Sequence, residues 1–336
     1  MRGIVIAGGL GTRLRPLTLT RPKPLMPLLG APLLEYQLSY LRDAGVSEVC
    51  FATNYMSDEV RRVFGDGSDY GMRLYYAVEE EPLDTAGAIR NAYEAIPRDD
   101  CVVFNGDVIH GFDISDIIAG HFRRDADVTL TLRSVLRPHA YGVVPLNEDG
   151  SVTGFLEPSE EQKRNLDTGS AGEDFINAGL YIMSKDSIET IPHRRCNIER
   201  EIFPKLIEDG WKVYGDVRHD FWIDIGRPSQ YLTAADAIIN ERVRGLPGVR
   251  AVSEDAIVAG DAFVENSSVG SASRVEAGAK VSNSALLENV VVGENALIER
   301  SIIGEGSIIG ANAIIRDSVL PASSRVDAFA RLGSLE

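Results

Sequence analysis

Positive charge is in short supply along this 336-residue chain: 34 Lys and Arg stand against 50 Asp and Glu, a formal net charge of −16. A partner such as nucleic acid or an anionic membrane demands a cationic face, so both classes are excluded. Cysteine is almost missing too. Cys50, Cys101 and Cys196 are odd in number and far apart, which predicts reduced core thiols in a cytoplasmic protein and no disulfide framework. No apolar run reaches membrane-spanning length, and the N-terminus enters a β-type run with no signal-peptide pattern. Histidine is confined to His110, His121, His139, His193 and His219, so the last third of the chain offers no imidazole base. What is left is ordinary for a globular protein, 44% hydrophobic and 25% charged, and long enough for two cores. An anion-binding site in such a chain must be a local basic island.

The island is at the start. Gly3-Ile4-Val5-Ile6-Ala7 is an apolar β-type run that turns into Gly8-Gly9-Leu10-Gly11-Thr12-Arg13-Leu14-Arg15-Pro16-Leu17-Thr18 and continues to Pro22-Lys23-Pro24-Leu25. A buried strand that runs straight into glycines lets backbone N–H groups face a ligand unobstructed. Those amides suit phosphate oxygens, and Arg13, Arg15 and Lys23 add full positive charge close by. No Gly-Lys-Ser/Thr follows, so this is not a Walker A loop, and the glycine spacing is not the dinucleotide fingerprint. A plain tight turn with surface cations is the bland alternative; three glycines with Arg-Leu-x-Pro-Leu-Thr and Pro-Lys-Pro favour phosphate chemistry.

Helical periodicity predicts helices over Pro32–Gly45, Asp58–Phe64 and Thr85–Ile96, and strands over Val49–Thr53, Arg73–Val78 and Cys101–Asn105. This alternation predicts an α/β fold, a Rossmann-like sheet that is mostly parallel with helices on both faces. Ligands of such sheets bind beyond the C-terminal strand ends, where the glycine loop and Asp107 fall. The middle section predicts antiparallel strands over Val128–Leu132, Gly142–Pro145, Val152–Glu157 and Gly179–Met183, which makes the sheet mixed. The polar stretch Pro158–Asp174 reads as a lid or as plain disorder. Asn197 is an expected N-cap for a helix that turns Ile198, Ile202, Phe203 and Leu206 inward, and a long helix is expected after Gly226 to about Arg244.

Gly245-Leu246-Pro247-Gly248 divides the chain into expected domains of residues 1–244 and 245–336. Beyond it aliphatic residues recur at steps of six, occasionally five, from Val252 and Val258 through Val281, Leu287 and Val292 to Leu320 and Val326. Glycine follows at Gly270, Gly293, Gly304 and Gly310. This is the hexapeptide pattern of a left-handed parallel β-helix, in which each aliphatic residue stacks into a triangular interior. Acyltransferases on this fold commonly need a histidine near the coils, and none is present there, so the repeats read as an assembly module that joins a homo-oligomer.

Gly-Gly-x-Gly-Thr-Arg-Leu-x-Pro-Leu-Thr followed by Pro-Lys-Pro resembles the signature of sugar-1-phosphate nucleotidyltransferases, nearest the GDP-mannose pyrophosphorylase branch. The resemblance implies an enzyme that transfers a nucleoside monophosphate from a triphosphate, GTP first, to a sugar 1-phosphate and releases pyrophosphate. It implies a nucleotide cradle at Ala7, Gly8, Gly9, Gly11 and Thr12, with Gly87 and Gly106. It implies that Arg13 draws the β- and γ-phosphates away and that Lys23 bridges both substrates at the α-phosphate. Asp107 and Asp224, each after a strand-like run, resemble the family's Mg²⁺ pair, and a hard cation bridging phosphates wants one or two carboxylates. Tyr141, Gly142, Glu157, Asn177 and Gly179 correspond to sugar contacts. Glu79, Glu80 and Glu81 lie where the family reads the base, and Glu80 is the residue chosen; a carboxylate accepts both N1–H and N2–H of guanine.

Two departures bear on the acceptor. The family's Glu-Lys-Pro is Glu157-Pro158-Ser159 here, and Lys163 and Arg164 could supply the missing charge. Its Pro-Leu-Gly-Thr-Ala-Gly is Pro82-Leu83-Asp84-Thr85-Ala86-Gly87. A modified or carbocyclic sugar phosphate is therefore an open alternative, as are dTTP, UTP or ATP with glucose 1-phosphate. A non-catalytic sensing paralogue should have lost Arg13, Lys23 or one of the two aspartates, and all four are present.

Overall fold

The computed structural model describes residues 1–135, 142–156 and 174–333. By packing, the chain separates into two compact units. The first comprises Met1–Gly9, Gln37–Val108 and Phe112–Trp222; the second comprises Leu10–Tyr36, Ile109–Gly111 and the chain from Ile223 onward.

The first unit is built on a seven-stranded sheet in which every strand but one runs in the same direction. In chain order its strands are β1 (Arg2–Ile6), β4 (Glu48–Thr53), β5 (Arg73–Val78), β6 (Cys101–Asn105), β8 (Val128–Val135), β9 (Asp174–Met183) and β10 (Val213–Arg218). Their spatial order is β10-β8-β9-β6-β1-β4-β5, with β9 antiparallel to both β6 and β8. β1 lies between β4 and β6 and carries Ile4 and Val5, both fully buried, as a two-sided central strand should. Helices α1 (Leu33–Asp43), α2 (Ser57–Phe64) and α3 (Asp84–Glu94) agree with the expected ones to within two residues. Leu33, Leu34, Leu38 and Leu41 of α1 are buried as the periodicity required, and Gly45 takes φ +79° just past its end.

Several expectations are corrected. Gly142–Pro145 and Val152–Glu157 form only isolated bridges among their described residues, such as Val143 to Leu156 and Leu146 to Val152; Pro145 and Gly154 interrupt any longer ladder. The helix expected to run to about Arg244 spans Pro228–Ile239, because Glu241 turns to φ 55° and brings Val243 and Leu246 into the core. Asn197 is the N-cap foreseen: its Oδ1 accepts from the Glu199 and Arg200 amides, opening a π turn over Ile198–Ile202 and a helix over Phe203–Glu208. Ile198, Ile202, Phe203 and Leu206 all face the core. Helix α4 (Ile114–Arg123), capped by Asp113, was not foreseen.

In the second unit, three parallel sheets of short strands stack so that each residue pairs with one 17 positions on, as in the serine contacts below. The inward residues of one sheet are Val269, Leu286, Ile303 and Leu320, of the next Val258, Val275, Val292, Ile309 and Val326, and of the third Val264, Val281, Ile298 and Ile315. A coil therefore advances in steps of six, six and five, which is a β-helix. Leu286, not Leu287, fills the inward place: it pairs with Val269 and Ile303 and joins the interior cluster. Buried serines bind coil to coil at one corner, where Ser284, Ser301 and Ser318 donate their amides to the Oγ of Ser267, Ser284 and Ser301 at 3.0–3.1 Å. Glycine at the stacked turns follows from the same closeness: a Cβ on Gly293 would lie 2.7 Å from the Ala311 nitrogen of the next coil.

Leu10–Tyr36 completes this unit. It consists of three single 3₁₀ turns, Thr12–Leu14, Leu17–Leu19 and Lys23–Leu25, then the hairpin of β2 (Pro27–Leu28) and β3 (Ala31–Pro32). Two further strands, β7 (Val108–His110) and β11 (Trp222–Asp224), pair as a small sheet.

Candidate active site

The first unit places Ala7, Gly8, Gly9, Glu80, Gly106 and Asp107 just past the C-terminal ends of β1, β5 and β6. The Ala7 amide donates to the Ala52 carbonyl and the Gly106 amide to that of Ile6, so these two N–H groups extend the sheet. Gly8 and Gly9 follow β1, and nothing lies within 4 Å of the position a Cβ on Gly9 would take. A Cβ on Gly8 would stand 3.4 Å from Asn54 and 3.6 Å from Glu79 Oε1. Glu79 is the buried member of the glutamate run, whereas Glu80 and Glu81 are exposed. It lies two residues past Ala77, on the same side of β5, and its Oε2 accepts from the Leu83 amide at 2.9 Å. Burial raises its pKa above the ordinary carboxylate value, opposed by the Leu83 N–H.

Asp84, where the family's glycine would stand, has φ 59°, a conformation that Asp tolerates better than most side chains. Its Oδ1 accepts from the Thr85 amide at 2.7 Å and from Asn197 Nδ2 at 3.0 Å, tying the start of α3 to the capping asparagine. The departure is thus absorbed locally. The Gly87 amide donates to the Cys196 carbonyl, and a side chain at Gly87 would meet the Arg194 carbonyl at 2.8 Å.

Around β9, Gly179 takes φ +73° and a Cβ on it would be 2.5 Å from Asn105 Nδ2, so this glycine admits the asparagine that leads to Gly106 and Asp107. Asn177 is fixed on three sides. Its Oδ1 accepts from the Gly179 amide at 3.0 Å, and its Nδ2 donates to the Tyr181 hydroxyl at 2.6 Å and to Glu199 Oε1. Burial and the charge of Glu199 push the Tyr181 phenol up, well out of reach of ionisation. Glu199 escaped the sequence reading because an acid in a helix's first turn has a sufficient structural explanation. Gly142 sits beside the Leu156 carbonyl, at 3.7 Å from its would-be Cβ. Tyr141, Glu157, Lys163 and Arg164 lie outside the described residues.

The second unit gathers the cations. Gly11 has φ +59°, and a Cβ there would be 3.0 Å from Lys23 Cβ and from Thr18 Cγ2. Glycine therefore serves both the turn and the passage of the Lys23 side chain. Thr18 Oγ1 donates to the Gly11 carbonyl at 2.8 Å and closes the loop. Lys23 is only 9% exposed. Thr12 opens the first 3₁₀ turn, and the Arg13 guanidinium lies against Gly226, whose absent Cβ would be 2.8 Å from Nη2. Asp224 ends β11 two residues earlier. This seat for Arg13 was invisible in the sequence.

Asp107 and Asp224 are both half-buried at strand ends. Among the described residues no cluster of three or more His, Cys, Asp or Glu side chains could cage an ion on protein ligands alone. Each aspartate is a hard carboxylate of the kind Mg²⁺ takes one or two at a time, keeping waters and phosphate oxygens for its other positions. A cavity of about 510 Å³ in the second unit, walled by Leu29, Glu35, Tyr231, Arg250, Glu254 and Glu288, is elsewhere: its described lining includes none of the predicted site residues. No helix among the described residues is long and apolar enough to cross a membrane.

Comparison with known proteins identifies the family. The Nucleotidyl transferase family model matches residues 2–241, and that of the GMPPB C-terminal domain matches residues 247–332. A mannose-1-phosphate guanylyltransferase of Mycobacterium tuberculosis is 38% identical over 263 residues, 76% of this chain and 71% of that protein. A mannose-1-phosphate guanyltransferase of Gibberella zeae is 34% identical over 239 residues, 69% of this chain and 63% of that one. These matches thus span about two thirds of the relatives' lengths. The crystal structure of HddC from Yersinia pseudotuberculosis complexed with GMP-PN is 31% identical with a TM-score of 0.59, covering 71% of this chain and 100% of that one. With the first family model matching well over half of its residues, the chain belongs to the nucleotidyl transferase family and ends in a GMPPB C-terminal domain.

Proposed function

We propose that this nucleotidyltransferase moves GMP from GTP to a sugar 1-phosphate, with mannose 1-phosphate the first candidate, and releases pyrophosphate to leave a GDP-sugar. The observation that carries the reading is the paired seating of the cations, Lys23 on Gly11 and Arg13 on Gly226, the latter two positions after Asp224. A sugar phosphate oxygen attacks the α-phosphorus in line; its P–O bond forms as the bond to the β-phosphate oxygen breaks. Lys23 holds both anions at the α-phosphate. Arg13 neutralises the charge that gathers on the departing pyrophosphate, a role for which a planar guanidinium suits bridging oxygens. Asp107 and Asp224 would hold Mg²⁺, which when bound screens the phosphate charges during transfer.

Asn177, both of whose Nδ2 hydrogens go to Tyr181 and Glu199, keeps one lone pair of its fixed Oδ1 to accept from a sugar hydroxyl. For the base, Glu79 is a better reader of guanine than Glu80, since it is buried and directed at Gly8. Guanine is also supported by the names of the relatives and by the GMP-PN complex of the HddC structure. Buried free thiols at Cys50, Cys101 and Cys196 agree with a cytoplasmic enzyme. The test is pyrophosphate release for each nucleoside triphosphate against a panel of sugar 1-phosphates. GTP with mannose 1-phosphate should lead; release with no pair would refute the enzyme, and a lead by dTTP or UTP would refute the base assignment.

A further inference from the structure

Arg21 stands two residues before Lys23, and its guanidinium is seated in the β-helix. Its Nη2 lies 2.9 Å from Glu288 Oε2 and 2.7 Å from Glu305 Oε2. The two glutamates occupy the same corner of successive coils, stacked through the Gly306 amide, which donates to the Glu288 carbonyl at 2.9 Å. One arginine thus spans two coils that would otherwise present like charges to each other. The pairs are partly exposed, Arg21 and Glu288 at 26% and Glu305 at 45%. Ion pairs so open to water add little to stability. Their geometric effect is another matter, because the backbone beyond Arg21 is stiff.

Pro22 has φ −66° and ψ 148° fixed by its ring and by its position before the 3₁₀ turn, and Pro24 follows Lys23 directly. The Leu25 amide donates to the Pro22 carbonyl at 2.9 Å and the Met26 amide to that of Lys23 at 3.0 Å. From Arg21 to Lys23 is about 7 Å of chain with hardly a soft torsion. Pinning the guanidinium limits how far the backbone at Arg21 can move, and the stiff Pro22–Pro24 stretch carries that restraint to Lys23 and to the stem packed on Gly11.

We infer that Arg21 is a positioning residue for Lys23, and that the coil corners bearing Glu288 and Glu305 form its seat, so that the repeat region holds the phosphate-bridging lysine in place. The inference rests on the reading of Lys23 given above. It adds a supporting part in catalysis, through Lys23, to a region whose sequence speaks only of assembly.

The test uses the full chain with three variants: Arg21→Met, the double Glu288→Gln/Glu305→Gln, and both combined. Steady-state kinetics for both substrates and thermal unfolding are measured on each. Arg21→Met and the glutamate double should each lower kcat about tenfold, since displacements approaching 1 Å at a reacting group cost up to ~100-fold. The combined variant should be no worse than Arg21→Met. The KM for GTP should move less than about twofold, because Arg13 has its own seat, and the unfolding temperature should be nearly unchanged. The charge exchange Arg21→Glu with Glu288→Lys/Glu305→Lys should recover part of the lost kcat, which a substrate-touching Arg21 would not allow, while a merely structural Arg21 would show itself as a lowered unfolding temperature. A glutamate double with normal kinetics beside a crippled Arg21→Met would overturn the seat and put Arg21 on the substrate. Lys23→Ala separates the two layers of the argument. An inactive Lys23→Ala beside a normal Arg21→Met overturns the clamp alone, whereas a fully active Lys23→Ala overturns the role of Lys23 and the clamp with it.

Discussion

Gly226→Ala isolates the seat of Arg13. The added Cβ would stand 2.8 Å from Arg13 Nη2 and 3.0 Å from Cζ. Ordinary contact at such atoms is about 3.5 Å, so the guanidinium must withdraw by roughly 0.7 Å. Gly226 is not among the residues with positive φ, so alanine meets no backbone penalty. The obstructing group is the far end of an exposed side chain that can swing aside. Folding should therefore lose less than about 1 kcal/mol, with the unfolding temperature steady to within a few degrees. The cost falls on transition-state stabilisation. A displacement near 1 Å at a catalytic group costs up to ~100-fold, so kcat/KM for the triphosphate should drop about 10- to 100-fold, or roughly 1.4 to 2.7 kcal/mol. The assay is pyrophosphate release with the triphosphate varied at saturating acceptor, repeated in an Arg13→Ala background. If the alanine acts through Arg13, it does nothing further there. Equal losses in both backgrounds would refute the argument, and an unchanged single variant would show that Arg13 needs no seat.

Three further outcomes are expected. Asp107→Asn and Asp224→Asn should each lower turnover on the order of 10²- to 10³-fold with the fold intact, and excess Mg²⁺ should recover part of it; near-normal turnover at ordinary Mg²⁺ removes the residue from the metal site. Glu79→Gln should narrow the preference for GTP over other triphosphates while Glu80→Gln leaves it alone, as read by kcat/KM ratios; the reverse pattern would restore Glu80 as the base reader. His110 is wholly buried, and burial pushes its imidazole down to about 3 from the usual 6.5. The unfolded chain takes up this proton first, so stability is full above pH 6.5 and falls by about 1.4 kcal/mol per unit as pH drops from there toward 3. Urea unfolding between pH 7 and 4 should show this slope reduced by about one proton in His110→Phe, and an equal slope would contradict it.

What could be read in the sequence follows from how local each signal is. The bounds of β5 and β6 coincide with the expected strands, and the Asn197 cap is correct to the residue, because periodicity and capping involve near neighbours. The coil repeat was legible for the same reason. Leu286 and Leu287 were confused because adjacent leucines satisfy composition equally, and only pairing with Val269 and Ile303 decides which points inward. Glu79 and Glu80 pose the same problem at the end of β5. Strand β10, Val-Tyr-Gly-Asp-Val-Arg, was passed over because Gly and Asp disfavour strands; its parallel pairing with β8 overrides that preference. α4 could have been found, since Asp113 caps it and Ile114, Ile117 and His121 share its buried side. Gly226 as the seat of Arg13 could not, because contact between distant parts of a chain leaves no pattern in either part.

The same limit bears on how the repeat region is understood. Composition changes at Gly245–Gly248, yet packing assigns Leu10–Tyr36 to the unit that contains the coils. This early segment has little means of ordering itself: single 3₁₀ turns and a hairpin of two residues a strand, with Leu29 and Gly30 both at positive φ between them. Fixing the backbone costs about 1–2 kcal/mol per residue, and so few internal hydrogen bonds cannot offset that. The offset comes from outside the segment. Tyr231, fully buried on the helix Pro228–Ile239, donates its hydroxyl to the Pro27 carbonyl, and Leu14, Leu17, Leu25, Met26 and Leu28 of the segment are buried, whereas the open pairs of Arg21 with Glu288 and Glu305 fix its position and add little stability. Arg13 and Lys23 thus sit on a stretch whose order depends on residues more than two hundred positions later. A stack of coils is suited to that task, since its corners repeat at a fixed rise and so offer the segment that carries the proposed phosphate-binding cations a regular, hydrogen-bonded seat.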